Sequence, residues 1–205
     1  MIRTTENDFD GSTFTDRDGP LIISATRTII STFLETGKRE TPPLLVSDRR
    51  FEQKFGCFVT LKNNDPEKSL RGCIGFPEAV YPLSFALSSA AIEAATRDPR
   101  FPPVKSRELA SLLVEVSLLS KPIQIRVQNQ KELPSKIQVG KDGLIMKWSF
   151  GSGLLLPQVA SEFHWDAEEF LSNLSMKAGA LPDQWLVPGT MVYKFRAIVF
   201  EENSS

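Results

Sequence analysis

The sequence is poor in the residues that most often act in metal binding and catalysis, with two Cys and one His among 205 residues. Cys57, Cys73 and His164 are too few to complete a four-ligand zinc site within one chain, so we predict no metal site. Any catalytic dyad or triad that needs histidine would have to use His164. It stands two residues before Asp166, which we predict to cap a helix, and a histidine in such a turn is typically exposed and without function.

The chain also lacks an excess of charge of either sign, with 24 Lys and Arg against 25 Asp and Glu. This balance gives no general attraction to nucleic acid, so nucleic-acid binding ranks last among the functions that we consider. No apolar run approaches the roughly 20 residues of a membrane helix, and residues 1–18 lack the basic and apolar regions of a secretory signal. Two Cys outside a CxxC spacing are typical of reduced thiols. We therefore predict a cytoplasmic protein with no membrane segment.

The first half of the sequence contains helix signals on both sides of a hairpin signal. Residues 1–16 are polar and acidic and predict a disordered leader, which leaves residues 17–205 for one domain or two tightly joined subdomains. Apolar residues at helical spacing predict a helix from Pro20 to Gly37, where glycine suits a left-handed cap. Three more predictions follow along the chain: an irregular connection over 38–54, a hairpin of strands over 55–61 and 70–76, and a helix that begins at Pro82 and ends before Asp98.

The second half is dominated by strand signals. The predicted elements are a strand over 113–119 with an edge extension over 121–126, a hairpin of 137–139 with 144–148, a flexible connection over 151–153, a helix from Asp166 to Gly179, and a strand over 191–200. Strands that come in hairpins with helices between them favour an α+β fold, with mainly antiparallel sheets flanked by helices.

The segment Leu70–Gly75 reads Leu-Arg-Gly-Cys-Ile-Gly and is the strongest candidate for a functional strand. Side chains alternate across a strand, so Ile74 should lie on the core face while Arg71 and Cys73 share the other face. Cys57 falls on the apolar parity of the preceding strand and is predicted to be buried. The two thiols should therefore face opposite ways, which argues against a disulfide.

Cys73 is the candidate catalytic nucleophile. A cation near a thiol favours the thiolate, which is the form that attacks electrophiles, and Arg71 lies two residues away. Gly72 and Gly75 leave space for a ligand or for another backbone to come close. The alternative is structural: free Cys is among the most buried residue types, and Cys73 would then be a small buried hydrophobic side chain.

The proline-rich loop after the second predicted helix is the other candidate. Arg97 and Arg100 on this stiff loop could hold a carboxylate or phosphate, which predicts an anionic small-molecule ligand that Asp98 helps to bind. The alternative is that Asp98 pairs with a neighbouring arginine and that Phe101 fills the core. Glu115, on the polar face of the next strand, is a candidate ligand-binding residue or general acid and base, or it is simply solvated.

The motif at Leu70–Gly75 resembles the signature of the AMMECR-domain family, which is named for a human chromosomal region linked to Alport syndrome, midface hypoplasia and elliptocytosis. The resemblance continues through residues 56–61, 97–104, 114–119, 137–144, 154–160, 177–179 and 182–185. It therefore covers most of residues 20–200, and the stretch Leu154–Ala160 is similar to the archaeal and bacterial branch.

The resemblance implies an α+β fold of two unequal, intimately packed subdomains, and it strengthens the case for Cys73 and Arg71. Prokaryotic relatives look like partners of, or fusions with, a Memo-type dioxygenase-like protein and a radical-SAM protein, which implies a component of a modification pathway. The reaction, the cofactors and the oligomeric state stay open. The favoured function is an enzyme component or ligand-binding protein with Cys73 in a cleft and Arg100 holding an anionic group; the alternative is a non-catalytic interaction module.

Overall fold

The computed structural model describes residues 13–202, and the chain divides into two compact units. Of the described residues, the first unit contains 13–119 and 198–202, and the second contains Ser120–Ala197. Helices combine with two four-stranded sheets of antiparallel strands, which confirms the predicted α+β class. Within residues 13–202, no helix combines the length and the apolar character needed to cross a membrane.

The elements of the described chain are as follows. The helices are α1 (Gly19–Thr36), α2 (Pro43–Ser47), α3 (Leu83–Thr96), α4 (Pro157–Glu162) and α5 (Ala167–Lys177). The strands are β1 (Gly56–Asn63), β2 (Leu70–Phe76), β3 (Leu112–Leu119), β4 (Ile123–Gln124), β5 (Gly143–Trp148), β6 (Gly151–Leu155), β7 (Met191–Phe195) and β8 (Ala197–Glu201). The sheet of the first unit has the strand order β2-β1-β3-β8, and that of the second has the order β4-β7-β5-β6.

Helix α1 begins and ends where the sequence predicts. Pro20 occupies the first turn, where its missing N–H has no helical partner to lose. Gly37 takes a φ of 72° and donates its N–H to Phe33 O at 2.8 Å, which closes the helix in the left-handed conformation. Its apolar face joins the core of the first unit, together with α3.

The predicted hairpin forms the edge of the first sheet. Strand β1 pairs with β2 on one side and with β3 on the other. Cys57, Val59 and Leu61 are fully buried in the core, and Ile74 packs against the same cluster. The alternation of side chains then places Cys73 and Thr60 on the opposite face. The prediction that Cys57 is buried is confirmed.

The second predicted hairpin is wrong. Strand β5 pairs with β6, so residues 151–153 are a strand rather than a flexible connection, and residues 137–139 are not a strand. Gln138 instead donates its N–H to Asp142 Oδ2 at 2.7 Å and starts a turn. Glycine is unfavourable in strands, so Gly151 and Gly153 made the strand pattern of β6 unrecognisable in the sequence. A Cβ at Gly151 or Gly153 would lie within 2.7 Å of the Ala178 backbone, so the end of α5 requires glycine there.

Three other predictions need correction. The strand predicted over 191–200 is split at Arg196 into β7 and β8, which belong to different sheets. The predicted extension at 121–126 is β4, an edge strand that pairs with β7 in the second sheet. The connection over 38–54 contains α2 and a 3-10 turn at Arg49–Glu52 that buries Phe51 completely.

The N-terminal leader predicted over 1–16 lies mostly outside the described residues. Phe14 is buried, and its ring makes edge contacts with the rings of Phe51 and Phe55 at centroid distances of 5.1 and 5.6 Å. The packed part of the first unit therefore includes Phe14.

Candidate functional site

A row of polar side chains crosses the first sheet on the face opposite its core. Cys73 lies opposite Thr60, and Thr60 lies opposite Glu115. The Thr60 hydroxyl donates to Cys73 Sγ at 3.3 Å, and Lys62 Nζ is 2.7 Å from Glu115 Oε2. The register of three strands therefore brings a thiol, a hydroxyl and an ion pair together, and two of these residues, Thr60 and Lys62, were not singled out from the sequence.

Asp98 attaches the loop after α3 to the edge of β2. Asp98 is 4% exposed, and its carboxylate accepts the Cys73 N–H at 2.8 Å, so that a side chain takes the place of a neighbouring strand. The same carboxylate accepts hydrogen bonds from the Arg100 N–H at 3.1 Å, from Nε at 2.9 Å and from Nη2 at 2.6 Å. The hydrogen bonds from Arg100 hold the pKa of Asp98 far below its usual range. The sequence interpretation in which Asp98 pairs with a neighbouring arginine is therefore confirmed.

Arg100 is held in position yet remains open to solvent. Its Nη2 lies 3.4 Å from Cys73 O, and its side chain is 53% exposed. The remaining guanidinium nitrogen, Nη1, makes no hydrogen bond to any residue from 13 to 202. The site thus contains a cation of fixed orientation with free donors beside the Cys73 backbone.

Arg71 has a different position from the one expected beside the thiol. Its guanidinium is paired with Glu108 and donates from Nη1 to Pro102 O at 2.9 Å. The Phe101 ring lies near two guanidiniums, 6.0 Å from Arg71 Cζ and 5.5 Å from Arg100 Cζ. Arg71 therefore holds the loop against β2, and Phe101 is only partly buried rather than part of the core cluster.

The environment of Cys73 favours the neutral thiol. Burial raises the pKa of the Cys73 thiol, and this effect outweighs the Thr60 hydrogen bond and the nearby charge of Arg100, which both lower it. Burial raises the pKa of Cys57 still more strongly. Both cysteines are free, as predicted, and neither is poised as a thiolate at neutral pH.

The two glycines of the motif make room for protein atoms. A Cβ at Gly72 would lie 2.3 Å from Ala94 O, because α3 crosses β2 at this point. A Cβ at Gly75 would lie 2.4 Å from the Phe58 ring and 2.4 Å from Cys57 O. Of the two possibilities raised from the sequence, close approach of another backbone accounts for Gly72.

The remaining predicted residues lie at the margin of this cluster or apart from it. Arg97 caps the end of α3 and is exposed, with no side-chain partner among residues 13–202. Glu115 is buried against Lys62 rather than solvated. His164 is exposed in the second unit at a φ of 57°. Within the described chain, no group of three or more His, Cys, Asp or Glu side chains is arranged to hold a metal ion.

Glu108 could not be identified from local sequence. It lies 37 positions after Arg71 and meets it only through the fold. Thr60 alternates with the buried Val59 and Leu61, so its place on the face opposite the core could have been found from the pattern of the first strand. Counting back from the turn would have paired Cys73 with the wrong residue, because the register of the hairpin shifts between Leu61 and Lys62.

Comparison with known proteins identifies the family. A profile of the AMMECR1 family matches residues 23–200. The chain belongs to the AMMECR1 family. Protein MJ0810 of Methanocaldococcus jannaschii is 48% identical over 90% of each chain, and Protein PH0010 of Pyrococcus horikoshii is 49% identical over 91% of each. The crystal structure of the uncharacterized protein PH0010 superposes with a TM-score of 0.85, covering 93% of this chain and 94% of that one. The resemblance drawn from the sequence is thereby confirmed.

Proposed function

We propose that this AMMECR1-family chain binds an anionic small ligand at the corner of the first sheet formed by Cys73, Thr60, Asp98 and Arg100, hereafter the Cys73 corner. The observation that carries the proposal is the state of Arg100. Its guanidinium is oriented by a buried carboxylate while its Nη1 remains free and half of the side chain faces solvent. A guanidinium fixed in this way loses little side-chain freedom when it binds a carboxylate or phosphate.

The same geometry favours binding over nucleophilic attack by the resting protein. A neutral Cys73 thiol can donate a weak hydrogen bond or pack against a ligand, whereas attack needs the thiolate. Arg100 shifts the Cys73 pKa downward, and a bound anion would offset part of that charge. In this proposal Cys73 forms part of the binding surface, and any chemistry on the ligand needs a further component.

Such a component agrees with the pathway that family resemblance implies. The proposal is that the chain presents its ligand within a modification pathway in which Memo-like and radical-SAM proteins are partners. This setting rests on the family resemblance of the motif at Leu70–Gly75. Pull-down of purified Memo-like and radical-SAM proteins on the wild-type chain, on Arg100→Ala and on the control Arg126→Ala is the test. Capture of neither protein by the wild type would remove the partners from the proposal.

Titration followed by nuclear magnetic resonance tests the binding site itself. The ¹⁵N-labelled chain is titrated with sodium acetate and, separately, with inorganic phosphate at constant ionic strength. We expect shifts of the Cys73 amide and the Arg100 side chain that saturate, and loss of saturation in Arg100→Ala. The exposed Arg126, in the second unit, supplies the control Arg126→Ala, which should behave as wild type. Equal responses of the two variants would contradict the proposal.

A further inference from the structure

The outer edge of β2 changes from covered to open within two residues. At Cys73, the backbone N–H and C=O that point away from β1 are covered by Asp98 and Arg100. Hydrogen-bonding direction repeats every two residues in an antiparallel strand, so the N–H and C=O of Gly75 point the same way. Neither group bonds to any residue from 13 to 202. Because β2 ends the strand order of its sheet, Gly75 offers a free donor and acceptor.

A group of three aromatic rings lies beside this open edge, with Phe76 partly buried against the core and the other two rings exposed. Phe76 follows Gly75, and its ring centroid is 5.6 Å from that of Tyr81 and 6.5 Å from that of Phe85. The centroids of Tyr81 and Phe85 are 5.0 Å apart, and these two residues are 44% and 51% exposed. We call these three rings the aromatic patch. Contiguous exposed rings of this kind mark interaction surfaces more often than scattered apolar residues do.

A positive charge lies at the other end of the open edge. Arg100 is bonded to the Cys73 backbone, two residues before Gly75, and its Nη1 is free. From Cys73 to Phe76 the strand advances by roughly 10 Å, which is the span of about three extended residues. A carboxylate bound by Arg100 would therefore be separated from the aromatic patch by the length of a very short peptide.

We propose that the ligand of the Cys73 corner is the C-terminal segment of a protein or peptide, which adds to β2 as a short antiparallel strand. Its terminal carboxylate binds Arg100, its backbone pairs with Gly75, and an apolar side chain near its end packs on the aromatic patch. Asp98 and Arg100 already cover the edge at Cys73, so an added strand must stop there, which places its end rather than its middle at the cation. This inference rests on the proposed anion site and names the class of its ligand.

Arg100, the backbone of Gly75 and the aromatic patch follow one another along β2, and this arrangement favours a peptide over a small metabolite as the ligand. A free carboxylate needs only Arg100, whereas Gly75 offers a paired donor and acceptor, which is the pattern that a peptide backbone completes. The charge of Arg100 is paired with Asp98, but its Nη1 can still donate to a carboxylate, and the exposed Arg97 adds a second positive charge to the same loop. Main-chain pairing would supply affinity, and the aromatic patch would supply selectivity for the side chain.

The experiment uses the ¹⁵N-labelled full chain and three pools of acetylated pentapeptides that end in Val, Leu or Phe, with the first four positions randomised. One pool has a free C-terminal carboxylate, one has a C-terminal amide, and one is N-methylated at its last three peptide bonds. Titration is followed at the Gly75 amide, and hydrogen exchange of that amide is measured with and without peptide. Gly75 itself is left unchanged, because any side chain there would collide with Phe58.

We expect the free-carboxylate pool to shift the Gly75 amide and to slow its exchange. The amide and N-methyl pools should bind at least about tenfold more weakly. The amide pool lacks the carboxylate that binds Arg100, and the N-methyl pool lacks the backbone N–H groups that pair with Gly75. Phe85→Ser should weaken binding about fivefold or more, whereas Phe150→Ser, at a ring that is 86% exposed in the second unit, should leave it unchanged.

The outcomes separate the inference from the proposed function. If acetate saturates at Arg100 but no pool shifts Gly75, or if the free and amidated pools bind equally, the peptide inference fails and the anion site stands. If neither acetate nor any pool gives a response that depends on Arg100, both fail. A Gly75 shift that depends on protein concentration without peptide would make a second copy of the chain the occupant and would overturn the inference.

Discussion

At the scale of single residues, Asp98 is the side chain on which the Cys73 corner depends. One buried carboxylate binds the backbone of β2, the backbone of the loop and the guanidinium of Arg100. Burying a carboxylate is costly unless its hydrogen bonds are complete, and here both oxygens have partners. The position of Arg100 is therefore a consequence of Asp98.

Replacing Asp98 should destabilise the first unit. Asp98→Ala removes hydrogen bonds to a charged group and leaves the Cys73 N–H without a protein acceptor, so we expect a loss of about 1.5–3 kcal/mol in the free energy of unfolding. Urea denaturation measures it. Arg97→Ala, at an exposed residue one position earlier, should change stability by no more than about 0.5 kcal/mol. Equal effects of the two substitutions would mean that the hydrogen bonds of Asp98 do not stabilise the first unit.

The reactivity of Cys73 should be low. Because burial raises the pKa of its thiol, Cys73 in the native Cys57→Ala variant should react with iodoacetamide more slowly at neutral pH than the same thiol in urea. Arg100→Ala should slow it further, since the Arg100 charge lowers that pKa. Mass spectrometry of the alkylated peptide gives the rates. A native rate above the denatured rate would restore Cys73 as a nucleophile.

At the scale of elements, the motif strand is defined by contact with α3 as much as by its own side chains. Gly72 lets the Ala94 carbonyl reach the strand, and the loop that leaves α3 then returns along the edge of β2. The two candidate segments of the sequence are thus brought together by one packing contact and one carboxylate.

Adding a methyl group at Gly72 should separate β2 from α3. The new Cβ would lie 2.3 Å from the Ala94 carbonyl oxygen, so backbone must move, and we expect Gly72→Ala to cost about 1–3 kcal/mol of stability. Leu70→Ala, on the same strand and 38% exposed, should cost less. Thermal unfolding compares the two variants, and a Gly72→Ala chain as stable as wild type would contradict the tight contact.

At the scale of the whole molecule, the chain leaves the first sheet after β3 and returns to it as β8. Glu202 fixes the returning segment, because its carboxylate accepts a hydrogen bond from Arg27 at 2.7 Å and another from the Val114 N–H at 2.8 Å. The first unit is therefore completed by residues that follow the second unit in sequence, which no local pattern could indicate.

Stability should fall at both ends of the pH scale. Arg100 and Arg71 lower the pKa values of Asp98 and Glu108 in the folded chain, so the unfolded chain takes up protons first as the pH falls below the usual carboxyl pKa of about 4. Burial raises both thiol pKa values, so the unfolded chain loses protons first above the usual thiol pKa of about 8.5. Urea midpoints at about pH 3, 7 and 10 should therefore be highest at 7.

A matched variant isolates the alkaline part of this profile. The double variant Cys57→Ala, Cys73→Ser has no thiol to ionise, so its stability should decrease less between about pH 8 and 10 than that of the wild type. An identical decrease in both proteins would show that the thiols do not contribute.

The sequence by itself determined the α+β class, the first hairpin, the α1 and α5 boundaries and the burial of Cys57. These follow from local causes: side-chain alternation, turn residues and capping groups act over a few positions. Asp166 and Glu169, for example, form the predicted capping box at the start of α5.

Only the tertiary structure decided the roles within the motif. It placed Arg71 on Glu108 and Arg100 beside Cys73, turned residues 151–153 into a strand, and divided the last predicted strand between two sheets. Each of these depends on contacts between residues distant in sequence. The scarcity of Cys and His in the sequence reduced the candidate nucleophiles to the Cys73 thiol. Long-range packing then buried this thiol, which favours its neutral form, and placed Arg100 of the loop beside it rather than Arg71 of the motif.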